Sequence, residues 1–420
     1  MLETKNNLNI DSEIYSLYLQ AKEDTKDIFS QIEDISLYNQ KKVLDSFIKR
    51  GVSEYHLHGS TGYGLSDPGR ETLEDIYCDI FKTQKSIVRA NFVSGTHAIG
   101  VVFYGILTPG DNFISITGKP YETLANVIGD KSSPGTLIAS GIEYKEIDLI
   151  DNKYFDKEKI KKEINDKTKM VFIQRSCGYS PRRSNTVREI EDITKFIKSV
   201  KEDIIVFVDN CYGELVEEKE PTEAGVDICA GSLIKNLGAG IAPCGGYITG
   251  REDLVKLCAK RYTIPHLEDN LGATLNTNRL LYQGLFMAPS VVANCVKSSI
   301  IASYIFEKLG YETFPKFNEQ RTDIICAVKL GNKELLSKFC QTIQNNSPVD
   351  SKALLKPHLQ PGYSNPIIMA SGSFTQGSSI ELSADGPVQE PYIAYLQGGL
   401  SYEHSIIAIL RTAENLNYKS

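Results

Sequence analysis

GSLIKNLGAGIAPCGGYITG, Gly231 to Gly250, sets one lysine, Lys235, between a short polar and apolar lead and a run of glycines. Ser232, Leu233 and Ile234 precede it, and Asn236, Leu237 and Gly238 follow. That is turn composition, with glycines that let backbone come close to something small and anionic. The flanks of this turn, DICAGSLI and GGYITG, are strand-like, and so, working back towards the N-terminus, are IIVFVDN, KMVFIQ, EYKEID, NFISIT and SIVRANFV. Helical or loop stretches separate several of them. Short apolar strands alternating with helices predict an α/β fold whose mostly parallel sheet is covered on both faces, with GGYITG as an antiparallel addition.

Further out, residues 11 to 49 carry helical spacing (Ile14, Leu17, Tyr18, then Ile28, Ile32, Leu37). SEYHLHGSTGYGLSDPGRE has loop composition before ETLEDIYCDIF restarts a helix. On the other side, a helical stretch over 271–309, with a break expected at MAPS, leads past FPKFNEQRTD into IICAVKL, KELLSKFCQTIQ and strand-like pieces over 367–400. The expected organisation is a helical arm at 1–50, a large domain at 51–290, and a small C-terminal α/β domain with its linking helix at 291–420.

Composition narrows the function. The 420 residues are 41% hydrophobic and 24% charged, ordinary for a globular protein with a sizeable core. A net charge of −7 argues against nucleic acid or anionic lipid as a partner. Nine cysteines, an odd number with no CxxC, point to a reducing cytoplasm rather than to a disulfide framework or a zinc site. The N-terminus lacks the pattern of a signal peptide, and no apolar run reads as long enough to cross a membrane. His56 and His58 alternate as strand neighbours would, but no third metal ligand accompanies them.

Three places carry chemistry. In SGTHAIGVVFYGIL a strand gives way to a helix through Ser94, Gly95 and Thr96. A helix N-terminus binds phosphate, with Gly95 allowing close approach and Thr96 adding a hydroxyl; the plainer reading makes Ser94 or Thr96 an N-cap. IIVFVDN ends on Asp209 where open parallel sheets bind ligands, so this carboxylate either caps a loop or pairs with a cationic ring nitrogen. Lys235 follows 26 residues later, with Ser232 three residues before it as a further phosphate donor. A phosphate nest, a buried acid and a lysine in a glycine-rich turn are what pyridoxal 5′-phosphate requires: an amine for its aldehyde and an acid that keeps its ring nitrogen protonated. Tyr121, just past NFISIT, is placed to stack on the ring or to sit in the core. Neither GxGxxG after a first strand nor GxxxxGK[ST] is present for a nucleotide-binding module.

With SGTHAI, TGKPYETL, VDNCYGEL, GSLIKNLGAGIAPCGGYITG, SIELSADGP and YLQGGLSYEH together, the chain resembles the methionine gamma-lyase-like proteins, also called aluminium resistance proteins, among the fold-type-I pyridoxal-phosphate enzymes. The resemblance implies a large domain with a seven-stranded, mainly parallel sheet, a small C-terminal domain, and a homodimer or tetramer with active sites at the subunit boundary. It implies that Lys235 holds the cofactor, Asp209 pairs with its ring nitrogen, Tyr121 stacks on it, and Gly95, Thr96 and Ser232 contact its phosphate. Tyr63 matches a tyrosine lent by the neighbouring subunit, but Leu65 stands where that family's pattern carries a phosphate-holding arginine; Arg70 is the nearby substitute. The family's carboxylate-binding arginine is also missing. Gln397 occupies the corresponding stretch, and Arg175, Arg182, Arg183 and Arg411 are the other candidates. The activity implied is β- or γ-elimination at the C–S bond of a sulfur-containing amino acid. The alternatives are another pyridoxal-phosphate reaction (racemase, aldolase or aminotransferase) or a cofactor-binding stress protein with little turnover.

Overall fold

The computed structural model describes residues 8–417. Its contacts divide into two units, Asn39–Met287, and the residues up to Tyr38 together with those from Ala288 onward. In the first, all seven strand candidates form one sheet: β1 (Lys85–Arg89), β2 (Asn112–Ser115), β3 (Glu143–Glu146), β4 (Thr168–Gln174), β5 (Ile205–Asp209), β6 (Ile228–Ser232) and β7 (Gly246–Gly250), in the order β1-β7-β6-β5-β4-β2-β3. Pairing is parallel from β3 through β2, β4 and β5 to β6. β7 runs antiparallel to both its neighbours, so GGYITG is antiparallel as expected but sits inside the sheet.

Period-two alternation sends successive side chains to opposite faces, and both faces of β2, β4 and β5 are buried, which is why these read as largely apolar runs, whereas the edge strand β3, EYKE, stays partly exposed. Met170, Phe172, Ile205 and Phe207 pack with the Gly95–Ile106 and Glu252–Tyr262 helices. Val171, Ile173, Val206 and Val208 pack with Ile190, Ile193 and Ile197 of the Val187–Val200 helix and with Ile160. Phe103 lies at the centre of an aromatic layer, 4.8 Å from Phe113, 5.2 Å from Phe172 and 5.3 Å from Phe207 between ring centroids.

Local signals set the helix starts. Thr186 and Glu189 form a reciprocal capping box, the Thr186 hydroxyl accepting from Glu189 N at 3.1 Å and the Glu189 carboxylate from Thr186 N at 2.9 Å. The Pro68–Phe81 helix begins inside the stretch read as loop, because Asp67 accepts from Arg70 N at 2.9 Å and Pro68 occupies the first turn, where its missing N–H costs nothing.

The second unit carries a fully antiparallel sheet of β8 (Glu312–Phe314), β9 (Ile325–Lys329), β10 (Ile367–Ser371), β11 (Ser383–Pro387) and β12 (Ile393–Gln397), ordered β10-β11-β12-β9-β8. Leu336, Phe339 and Ile343 of the Lys333–Asn345 helix and Ile406, Ile409 and Leu410 of the Tyr402–Asn417 helix pack in one core with Cys326, Val328, Ala384 and Leu396 of the sheet.

Two expectations need correction at the Asn278–Lys308 helix. It does not break at MAPS but runs 31 residues through Pro289. Proline removes the one backbone donor that would bond Leu285 O, and nearby carbonyls of the helix also accept side-chain donors, Gln40 Nε2 at 3.2 Å from Phe286 O and Ser36 Oγ at 3.1 Å from Pro289 O. The helix is also long and apolar enough by composition to cross a membrane, contrary to the reading of the sequence; 72% of its most apolar window is buried within the protein. Burial on most sides, rather than lipid, accounts for the composition.

Candidate active site

Strand directions decide which loops meet. β1 and β6 both run antiparallel to β7 and hence parallel to each other, and Arg89 and Ser232 both face Gly246 in register. Gln174 stands opposite Asp209, and Asp209 opposite Ala230. The C-terminal ends of β1, β4, β5 and β6 therefore share one edge, the edge where open parallel sheets bind ligands.

Gly95 opens the 12-residue Gly95–Ile106 helix directly against Ser232: a Cβ at position 95 would lie 2.9 Å from the Ser232 Cβ. Ser94 is the N-cap, accepting from His97 N at 3.1 Å, so the plain reading of that serine holds. Thr96 faces inward, its hydroxyl 3.1 Å from the Tyr121 hydroxyl. Tyr121 is fixed through its own N–H, which donates to Gln174 Oε1 at 3.0 Å. Gly95, Thr96, Tyr121 and Ser232 thus lie together at a helix start where position 95 carries no Cβ, a cradle that fits a phosphate.

Asp209 is buried, 3% exposed, and its carboxylate accepts from Cys211 N at 3.1 Å. Burial pushes its pKa up, while Lys235 and the Cys211 N–H pull the other way. Burial also acts against the Lys235 ammonium, but Cys211, Tyr212, Asp209 and Tyr121 around it more than offset that, and its pKa is raised well above the usual lysine value. Burial, followed by Asp209, raises Tyr121 well above the usual phenol. The Lys235 Nζ sits 3.9 Å from the centre of the Tyr212 ring, a cation–π contact that the sequence reading missed. Its signal was present: Tyr212 falls in the same VDNCYGEL run as Asp209. Asn236, next to the lysine, ties the two loops together by donating through Nδ2 to Tyr212 O at 3.0 Å and Glu214 O at 2.9 Å. Cys211 is not set up as a nucleophile, since burial and Asp209 raise its thiol pKa well above normal.

The arginines need correction. Arg175 is wholly buried, and its fork is committed to Asn210 Oδ1 (2.7 Å), Gly213 O (2.9 Å), Glu217 Oε1 (2.8 Å) and Asn185 O (3.4 Å). Arg182 straps the end of β4, donating to Gln174 O at 2.7 Å and Ser176 O at 2.6 Å; Arg183 pairs with Glu189. Neither sits in a solvated basic loop. Arg70 is buried and donates to Gly64 O at 2.6 Å and Gly272 O at 2.9 Å, holding loops rather than facing a phosphate. Gln397, in the other unit, is buried and donates to Asp385 at 2.8 Å, and Arg411 donates to Asn346 at 2.7 Å. Tyr63 stands 76% exposed, away from the contacts that join Lys235, Asp209 and Tyr121. His56 lies in the Glu54–Leu57 3₁₀ turn and His58 caps its end, rather than both lying in a strand, with His56 Nδ1 accepting from Ser53 N at 3.0 Å.

Comparison with known proteins agrees with this geometry. Residues 14–417 match the methionine gamma-lyase family. A Bacillus subtilis protein, YnbB, is 44% identical over 403 residues, 96% of both chains. A structure described as a carbon-sulfur lyase involved in aluminum resistance, from Clostridium novyi NT, superposes with a TM-score of 0.93 at 42% identity over 98% of each chain. A Campylobacter jejuni structure, provisionally an O-acetylhomoserine (thiol)-lyase and holding N′-pyridoxyl-lysine-5′-monophosphate, shares the fold at 18% identity, with a TM-score of 0.57 over 83% of this chain and 86% of that one. A lysine and a buried acid at the ligand-binding edge of a seven-stranded sheet, in a chain matched almost end to end, lead to one assignment: the protein belongs to the methionine gamma-lyase family of pyridoxal 5′-phosphate-dependent carbon–sulfur lyases.

Proposed function

We propose that the protein cleaves the C–S bond of a sulfur-containing amino acid by β- or γ-elimination, with Lys235 Nζ holding the cofactor and then serving as the base that moves the substrate α-proton. The observation that carries this is the meeting of Lys235, Asp209 and Tyr121 at the edge where Gly95 abuts Ser232. When bound, pyridoxal 5′-phosphate supplies an electron sink for a carbanion. The chain's own part is to hold and orient it. Gly95, Thr96 and Ser232 take the phosphate, Asp209 accepts from the ring nitrogen in a dry setting, and Tyr121, fixed by Gln174, covers the ring. With Arg175, Arg182 and Arg183 engaged internally, the substrate carboxylate is left to other donors.

We further propose a homo-oligomer in which Tyr63, 76% exposed beside Leu65 at 61%, reaches a neighbouring subunit's site. Nine cysteines with no disulfide among the described residues fit a reducing cytoplasm.

The test is turnover. Methionine, cystathionine and cysteine are offered to the purified protein, and 2-oxo acid and ammonia are measured. At least one substrate is expected to react, and Lys235→Ala to lower the rate by at least about 10²–10⁴-fold, the usual worth of a positioned general base. No turnover of any of the three removes the lyase reading for this chain. With a 2-oxo acid added as amino acceptor, new 2-oxo acid without ammonia favours an aminotransferase, and loss of optical rotation with neither product favours a racemase.

A further inference from the structure

Arg175 has no part in the chemistry above, yet it sends three hydrogen bonds into one turn, the one that runs from Asp209 to Gly213. Its N–H donates to Asp209 O at 3.1 Å, and Nη1 donates to Asn210 Oδ1 at 2.7 Å and to Gly213 O at 2.9 Å. Nη2 is anchored on Glu217 Oε1 at 2.8 Å, an oxygen that also accepts from Val187 N at 3.0 Å. The buried guanidinium fits because residue 213 is glycine: a Cβ there would lie 2.6 Å from Nη1. Between the gripped residues lies Tyr212, whose φ of +71° is left-handed. That conformation is uncommon for a bulky residue and persists where the surroundings over-determine it. Here they do. Asn210 O accepts from Gly213 N at 3.0 Å, and Asn236 Nδ2 donates to Tyr212 O at 3.0 Å, in addition to the grip of Arg175. What the turn achieves is the placement of one ring, its centre 3.9 Å from Lys235 Nζ.

We propose that Arg175 is a positioning residue for Lys235: by fixing the left-handed turn at Tyr212, it keeps the Tyr212 ring against the lysine amine. The proposal rests on reading Lys235 as the cofactor lysine. An aromatic face attracts an ammonium, so the ring both steadies Lys235 and favours its protonated form. A lysine that leaves the cofactor when substrate arrives and then serves as the base needs such a seat, because its four-carbon stem is flexible. A merely structural Arg175 would hold the loop and leave the protonation of the lysine untouched. A positioning Arg175 couples the two through the ring.

The test is competitive acetic anhydride labelling of the full chain, freed of cofactor, with the Lys235 peptide quantified by mass spectrometry across a pH series. Arg175→Met removes the fork. Gly213→Ala keeps the charge but sets a methyl 2.6 Å from Nη1. Tyr212→Leu removes the ring itself. In each, Lys235 is expected to titrate lower and to label about two- to fivefold faster at a pH below its midpoint, the worth of one cation–π contact. Arg175→Met combined with Tyr212→Leu should label like Tyr212→Leu alone, since both act through the same ring. A folded Arg175→Met or Gly213→Ala chain with a lower urea midpoint but a wild-type labelling profile overturns the proposal, and so does a double variant that labels faster than Tyr212→Leu. An unchanged profile in Tyr212→Leu overturns it too, and that variant decides if Arg175→Met fails to fold. A wild-type protein that takes up no cofactor would sink the Lys235 reading instead, and the labelling arms would still decide the role of Arg175.

Discussion

Lys235 and Asp209 stand out in a bare sequence because the cofactor's chemistry demands those residue types, and the geometry narrows what each can do. Asp209 is kept dry, with a raised pKa, so its charge depends on a cationic partner. Asp209→Asn should leave the fold intact and lower turnover by about 10²-fold or more, the scale of removing a preorganised electrostatic partner; kcat with the best substrate checks it. Gly95→Ala pushes a methyl against Ser232, and overpacking of this kind costs about 1–3 kcal/mol, read as a lower denaturant midpoint together with weaker cofactor uptake. Glu214 carries a pH signature. Its pKa is about 8 folded against 4.5 for a free glutamate, so the folded chain keeps a proton that the unfolded chain has lost. The stability this gives is complete below about 4.5, declines as pH rises, and is gone above about 8. A tenfold difference in proton affinity is worth about 1.4 kcal/mol, so the swing is on the order of a few kcal/mol. Urea midpoints from pH 5 to 8 should fall more steeply for the wild type than for Glu214→Gln. None of this was legible beforehand, because an acid in CYGELVE reads as surface charge until Gly231 and Tyr247, from distant strands, enclose it.

Among the elements, short apolar runs announced the strands and helical spacing the helices. Phe172 belongs to a layer with Phe103 and Phe207, so Phe172→Ala should cost about 3–5 kcal/mol in unfolding experiments. Thr186→Ala removes half a capping box and should cost about 1 kcal/mol. The sequence reading failed where local signals compete with packing. MAPS looked like a break, yet the helix passes through Pro289, most of its apolar surface held by packing within the protein. β8, the three residues ETF, is too short and too polar to read as an apolar strand.

For the whole molecule, shared sites make a distinctive prediction. If Tyr63 serves a neighbour, Tyr63→Phe and Lys235→Ala chains, each nearly inactive, should complement each other when refolded together, recovering about a quarter of wild-type activity for random two-fold pairing. No recovery would confine Tyr63 to its own subunit. Sequence alone determined the seven strands and the cofactor class, because short strand-like runs between helices, a strand-end acid and a lysine in a glycine turn are local patterns set by a covered parallel sheet and by one aldehyde's chemistry. Only the tertiary structure decided that Arg175, Arg182 and Arg70 are internal ties, that an apolar 31-residue helix is mostly buried within the protein, and that the Tyr212 ring lies against Lys235. Whether a charged or apolar side chain meets a partner, water or a ligand depends on neighbours brought together from strands far apart in sequence, and no local pattern records them.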